Sequence, residues 1–168
     1  MSIPVEIERK FVIEMPDFDI MASLEGYESS EILQTYLTSS APVTHRVRAR
    51  RFADVTVYTE TVKTRIDKMS VFEEEREISK EEYDELLCGA MVGTVTLKKT
   101  RHSFLYDGKT VEIDVYPEWQ RSCILEVELA SRDDEIRLPA FINVIAEVTG
   151  DKRYSNASMS KRFPKELI

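Results

Sequence analysis

The chain has 168 residues, a length that suits one domain of roughly 100–200 residues. Apolar residues make up 42% and charged residues 32%, more charge than the ~25% of an ordinary globular domain. The net charge of −8 argues against a duplex nucleic-acid partner, and the lack of a run of 18 apolar residues argues against a membrane-spanning helix. The start, Met1 to Arg9, carries charge and lacks an apolar signal core. Cys88 and Cys123 form no CxxC motif, so the expectation is a cytoplasmic protein with two free thiols. His45 and His102 are the only histidines, so any metal has to be held by carboxylates.

Residues 3–14 alternate as a strand, with Ile3, Val5, Ile7, Phe11 and Ile13 on one face. Glu6, Glu8, Lys10 and Glu14 take the other face. Residues 16–24 suit a short helix or turn. Strands follow at 31–38, 44–53, 55–65 and 71–78, rich in Val, Thr, Tyr and Phe. Ser79 opens a helix to about Leu87, with Glu82 completing a capping box. Strands at 94–106 and 109–117 flank Asp107-Gly108, a two-residue turn whose positions both need positive φ. A strand at 122–130, a helix at 139–149 stopped by Gly150, and a short helix at 156–163 complete the chain. This succession of eight strands predicts a mainly β fold in a single domain over residues 1–168. An antiparallel sheet of that size suits a closed eight-stranded barrel with helices packed outside. Alternation alone does not distinguish the barrel from a sandwich with one wet face.

The charges carry the functional argument. Sorted by period-two faces, the first strand offers Glu6, Glu8 and Lys10, and the next charged one Arg46, Arg48 and Arg50. Lys63 and Arg65 follow, then Glu73, Glu75 and Glu77, then Lys99 and Arg101. Glu112 with Asp114 and Glu126 with Glu128 end the series. Residues i and i+2 on a strand lie roughly 6.5–7 Å apart on one face, so these like charges repel unless a counter-ion joins them. A single Glu-x-Glu is usually a solvated face, but seven strands repeating the pattern point to ligands. Carboxylates suit hard divalent cations, and guanidinium or ammonium groups suit phosphate oxygens.

Glu6-Ile7-Glu8-Arg9-Lys10 resembles the ExExK signature of the CYTH superfamily, the triphosphate tunnel metalloenzymes. The likeness continues in order through Arg46-Val-Arg48, Thr61-Val-Lys63, the Glu73–Glu77 series, Lys99-Thr-Arg101, Glu112-Ile-Asp114 and Glu126-Val-Glu128. The segment from Glu147 to Asn156 is similar to the family's closing segment. The resemblance implies an eight-stranded tunnel that hydrolyses a small polyanionic triphosphate with Mg2+ or Mn2+, two ions in all. It implies that Arg46, Arg48, Lys63, Lys99 and Arg101 bind phosphate oxygens and that Glu6, Glu8, Asp114, Glu126 and Glu128 hold metal. Lys10 would stand beside both, with Glu73, Glu75 and Glu112 completing the charge network and the final helix plugging one mouth. Hydrolysis of inorganic triphosphate to pyrophosphate and phosphate is the expected reaction.

The family's other substrates, thiamine triphosphate and ATP, are the alternatives. Class IV adenylyl cyclases resemble the chain at ExExK but carry a preceding His-Phe pair, which does not occur here. A non-catalytic polyphosphate-binding module is disfavoured, because bare carboxylates repel a polyanion unless metal neutralises them. Gly108-Lys109-Thr110 is no P-loop, since position 103 is Ser103 where that motif needs glycine. Trp119 beside Pro117 reads as a packing residue in a loop. No nucleic acid or membrane partner is expected, and pairing of two barrels into a homodimer stays open.

Overall fold

The computed structural model describes residues 5–168. Val5–Glu14 (β1), Glu28–Leu37 (β2), Val43–Phe52 (β3), Val55–Arg65 (β4) and Ser70–Ile78 (β5) precede Leu97–Tyr106 (β6), Lys109–Val115 (β7), Ser122–Glu128 (β8) and Val144–Glu147 (β9). Ile3 and Pro4, expected to begin the first strand, lie outside the described residues. The strands form one antiparallel sheet in the order β5-β4-β3-β2-β6-β7-β8-β1-β9, and β5 pairs in addition with β1. That last pairing closes eight strands into a ring and leaves β9 outside it. Closure is brief: it consists of Val5 opposite Phe72, Glu6 opposite Val71 and Ile7 opposite Ser70.

The local signals act as their chemistry requires. Asp107 and Gly108 take φ of 50° and 70°, the left-handed pair that joins β6 to β7. The Ser79 hydroxyl accepts from the Glu82 amide at 3.0 Å and opens helix Lys80–Leu87 (α2). Glu82 does not complete the box, because its carboxylate pairs with Arg76 instead. Asp17 caps the short helix Phe18–Ala22 (α1) by accepting from the Asp19 and Ile20 amides. A last helix spans Asn156–Lys161 (α3), after a 3-10 turn at Lys152–Tyr154.

The expected helix at 139–149 is corrected: strand β9 occupies Val144–Glu147. The β5 partner leaves β1 after Ile7, so the far half of β1 has an unpaired edge on that side. Phe11 to Ile13 fill it by pairing with Glu147, Ala146 and Val144. The β-branched Val144 and Ile145 suit such a strand, and the unsatisfied backbone edge decides the outcome.

The apolar faces point outward and are covered. Phe11, Ile13, Phe104, Ile113, Leu125 and Val127 form one buried cluster beneath Met21 of α1 and Ile142 of the segment before β9. On the opposite wall Tyr83 of α2 packs over Val47 and Ile78. Burying each such side chain is worth about 1.5–3 kcal/mol, and this shell holds the cylinder with its charged face inward. No helix among the described residues is long and apolar enough to cross a membrane.

Gly150 stands where β9 turns back towards the ring, with φ of +72°; a Cβ there would collide with the Lys68 side chain. Gly150→Ala is therefore expected to destabilise the fold by about 1–2 kcal/mol from the left-handed backbone alone. Urea unfolding measures it, and Lys68→Ala in the same chain should recover the steric part only. A variant as stable as the parent would contradict this packing.

Candidate active site

Strand register decides which side chains share the inner face. Glu8 lies opposite Glu128 and Lys10 opposite Glu126. Glu126 is also opposite Glu112, and Asp114 opposite Arg101. Arg46 and Arg48 face Thr61 and Thr59, while Lys63 and Thr61 face Glu73 and Glu75. Followed round the ring, the charges sort into two arcs. Strands β7, β8, β1 and β5 contribute an acidic arc, and β4, β3 and β6 a basic one. Strand β2, between β3 and β6, adds the neutral Ser30, Ile32 and Gln34.

A cavity of about 890 Å³ runs between the arcs. Every expected site residue lines it except Lys99 and Asp114, which are buried in the wall below at 1% exposure each. Arg50 and Arg65 line it as well, while Glu77 is exposed and takes no part. Helix α3 and its capping residue Ser155 supply part of the wall, the helix through Ala157 and Ser160, as expected of a plug. A groove of about 380 Å³ beside α2, lined by Leu37, His45 and Leu86, holds none of the expected residues.

The basic arc is short of acceptors. Arg48 donates twice to the Gln34 carbonyl oxygen, at 3.2 and 2.9 Å. Burial, together with Arg46 and Arg101, pushes it down to about 9. Arg50 donates to Ser30 Oγ at 2.8 Å and is also lowered, by burial and by Arg101. The Arg46 Nε is buried without an acceptor, and so is the Thr59 hydroxyl. An unsatisfied buried donor costs about 1–3 kcal/mol, so an oxyanion in the cavity relieves a standing penalty.

Beneath these lies a saturated ion cluster. Asp114 accepts from Lys99 Nζ at 2.6 Å and from two nitrogens of Arg101 at 2.7 and 2.8 Å. Arg101 also bonds Glu112 at 2.6 Å. Burial alone would raise Asp114, but the Arg101 and Lys99 charges outweigh it and hold the carboxyl far below the usual range. Expected among the metal ligands, Asp114 has both oxygens engaged by cations of the chain itself.

The acidic arc behaves oppositely. Burial, reinforced by Glu126, pushes Glu8 up to about 8, against the pull of Lys10. Glu6 is raised by burial and by its hydrogen bond with Glu73, although Lys63 Nζ reaches it at 2.8 Å. Glu128 is raised by burial, Glu112 and Glu6. Glu126 differs: burial would raise it, yet Lys10, at 3.2 Å, and Arg101 bring it down to about 2. Lys10 also donates to the Tyr154 carbonyl at 3.2 Å. Glu6, Glu8 and Glu128 thus form an oxygen-only set with too little positive charge, which fits a hard divalent cation. Among the described residues no three carboxylates already converge as a metal cage.

The CYTH domain family profile matches residues 4–163, and the chain belongs to this family. It is similar to the crystal structure of the inorganic triphosphatase NE1496, at 29% identity over 95% of this chain and 97% of that one, with a TM-score of 0.60. The fold is shared with protein PH1819 of Pyrococcus horikoshii OT3, at 23% identity over 76% and 80% of the two chains and a TM-score of 0.58. It is shared also with HpAC1 of Hippeastrum, described as a putative adenylyl cyclase with a dominant triphosphatase activity. That likeness is 14% identity over 74% and 80% of the two chains, with a TM-score of 0.53. No curated protein matches the chain.

Proposed function

We propose that this chain is a divalent-metal-dependent inorganic triphosphatase, cytoplasmic, that cleaves tripolyphosphate to pyrophosphate and phosphate inside the tunnel. The observation that carries the reading is the sorted ring: acceptor-poor Arg46, Arg48 and Arg50 face cation-poor Glu6, Glu8 and Glu128 across one cavity. Family membership and the likeness to NE1496 support it.

Arg46, Arg48 and Lys63 lay the phosphate chain along the basic arc, and Arg101 reaches it from a base fixed by Asp114. Lys10, held by Glu126 and the Tyr154 carbonyl, offers an ammonium within the acidic arc. Glu6, Glu8 and Glu128 would hold Mg2+ or Mn2+, two ions, with Glu126 adjoining. Such an ion supplies charge neutralisation on phosphate oxygens and a bound water of lowered pKa. Phosphoryl transfer is chiefly positioning and charge stabilisation, so no histidine, cysteine or serine nucleophile is required.

Among the described residues lining the cavity Tyr36 is the one aromatic; it is 5% exposed, and its hydroxyl accepts from Gln34 at 2.8 Å. Among the described residues the lining thus offers little open ring face to stack an adenine or thiamine base, which favours the inorganic substrate. The test is phosphate release and product identity with tripolyphosphate, ATP, thiamine triphosphate and pyrophosphate, each with Mg2+ or Mn2+. Tripolyphosphate turnover well above the rest is expected. Cyclic AMP as the main product from ATP would replace this reading with a cyclase, and binding without phosphate release would make the chain a polyphosphate-binding module.

A further inference from the structure

The chain beyond α3 does not trail away from the barrel. Its Glu166 carboxylate sits in a cradle formed by the β7–β8 loop. Oε1 accepts from the backbone amides of Arg121 at 2.5 Å and Ser122 at 2.6 Å and from the Ser122 hydroxyl at 2.9 Å. Oε2 accepts from the Gln120 amide at 3.4 Å. Two residues earlier, the Pro164 carbonyl accepts from the Trp119 indole at 2.9 Å. Trp119 is 3% exposed and stands against three rings: Phe163 at 5.4 Å, Tyr154 at 6.3 Å and Tyr116 at 6.4 Å between centroids. Tyr116 in turn donates to Asn156, the first residue of α3.

The same Tyr154 whose ring rests on Trp119 offers its backbone carbonyl to Lys10 Nζ. One continuous set of contacts therefore runs from Glu166, through the loop and the indole, to the ammonium in the tunnel. An ammonium on a four-carbon stem has high rotamer freedom, and fixing it requires partners on more than one side. Glu126 supplies one side and Tyr154 the other.

We propose that Glu166 and Trp119 are positioning residues for Lys10: they lock the C-terminal segment onto the β7–β8 loop so that the Tyr154 carbonyl fixes the ammonium in the tunnel. The inference deepens the triphosphatase reading and rests on it for the rate effect alone. Neither residue touches substrate. Of the four bonds to Glu166, three go to Oε1, an oxygen that glutamine retains.

Glu166→Ala is expected to lower kcat for tripolyphosphate by about tenfold, since small misplacements remote from the chemistry cost rate steeply. KM should stay within about twofold, because the phosphate-binding arginines are untouched. Glu166→Gln should restore most of the loss. Trp119→Phe, which keeps ring packing but loses the bond to Pro164, should lose rate in the same direction. A second readout needs no turnover: Trp119 is the single tryptophan, so acrylamide quenching reports on the lock. Quenching should rise in Glu166→Ala and, because coupling is reciprocal, also in Lys10→Met. A Glu166→Ala protein that only melts earlier, with kcat intact, overturns the proposal, and so does unchanged quenching in Lys10→Met. If the parent protein fails to hydrolyse tripolyphosphate, the triphosphatase reading falls and the quenching pair still decides the lock.

Discussion

Glu8→Gln should lower metal-dependent phosphate release from tripolyphosphate on the order of 100-fold or more, as expected when a charge poised for the transition state is removed. The same variant should be more stable than the parent when both are freed of metal at alkaline pH. Burial beside Glu126 raises Glu8 from 4.5 to about 8. Between those values the folded chain holds a proton that the unfolded chain has released. The contribution to stability is therefore complete below pH 4.5 and is lost as pH rises towards 8. Glutamine carries no such charge, so the loss should vanish at this position, a gain on the order of 1–2 kcal/mol after solvent screening. Glu6 and Glu128 are raised too and keep a residual slope of the same sign. Urea midpoints in chelator at about pH 5 and about pH 8 measure the difference. A variant that keeps full turnover, or a parent whose stability climbs over that interval, would contradict the reading.

Asp114→Ala carries the larger cost to the fold. It strands Lys99 and Arg101, at 1% and 7% exposure, without their shared carboxylate. Breaking a buried pair by removing one partner costs about 3–5 kcal/mol, because a charge is left desolvated and alone. Lys99→Met in the same chain should recover part of that loss, since the two residues act as one unit. Equilibrium unfolding of the single and double variants gives the coupling. A loss below about 1 kcal/mol would mean that water reaches the cluster and that it anchors nothing. Asp114 then would be free to bind metal, contrary to its three short bonds here.

Much of the site was legible in the sequence because strand alternation is local. Glu6, Glu8 and Lys10, or Arg46 and Arg48, fall on one face whatever their neighbours are. The sorting of the arcs was not legible, because it depends on β5 meeting β1 and on β2 lying between β3 and β6. These pairings join residues far apart in the chain. Alternation also overreached at Glu77, whose side chain shares the face of Glu75 but does not line the cavity. Lys99 and Asp114 face inward as expected, yet their mutual attraction draws them below the cavity surface. The error at 139–149 has the same root. Phe141, Ile142 and Ile145 can be read with helical spacing, and only the open edge of β1 shows that a strand is wanted. Trp119 was legible as a packing residue, but its link to Pro164 was not, because no periodic signal marks the partner of a loop.

The brevity of the seam where β5 leaves β1 bears on the signature strand itself. Past Ile7, that side of β1 is held by irregular partners until β9 begins at Phe11. The Glu8 amide donates to the Met69 carbonyl at 3.4 Å, and the Lys10 amide to the Thr149 hydroxyl at 3.0 Å. The Lys10 carbonyl accepts from the Val148 amide at 2.8 Å. Residues 8 to 10 can therefore breathe sideways without tearing a ladder, whereas residues 11 to 13 are clasped by strands on both flanks. Deuterium uptake should consequently be quicker at the Glu8 and Lys10 amides than at Val12, putting the loosest backbone of this strand beside its most charged side chains.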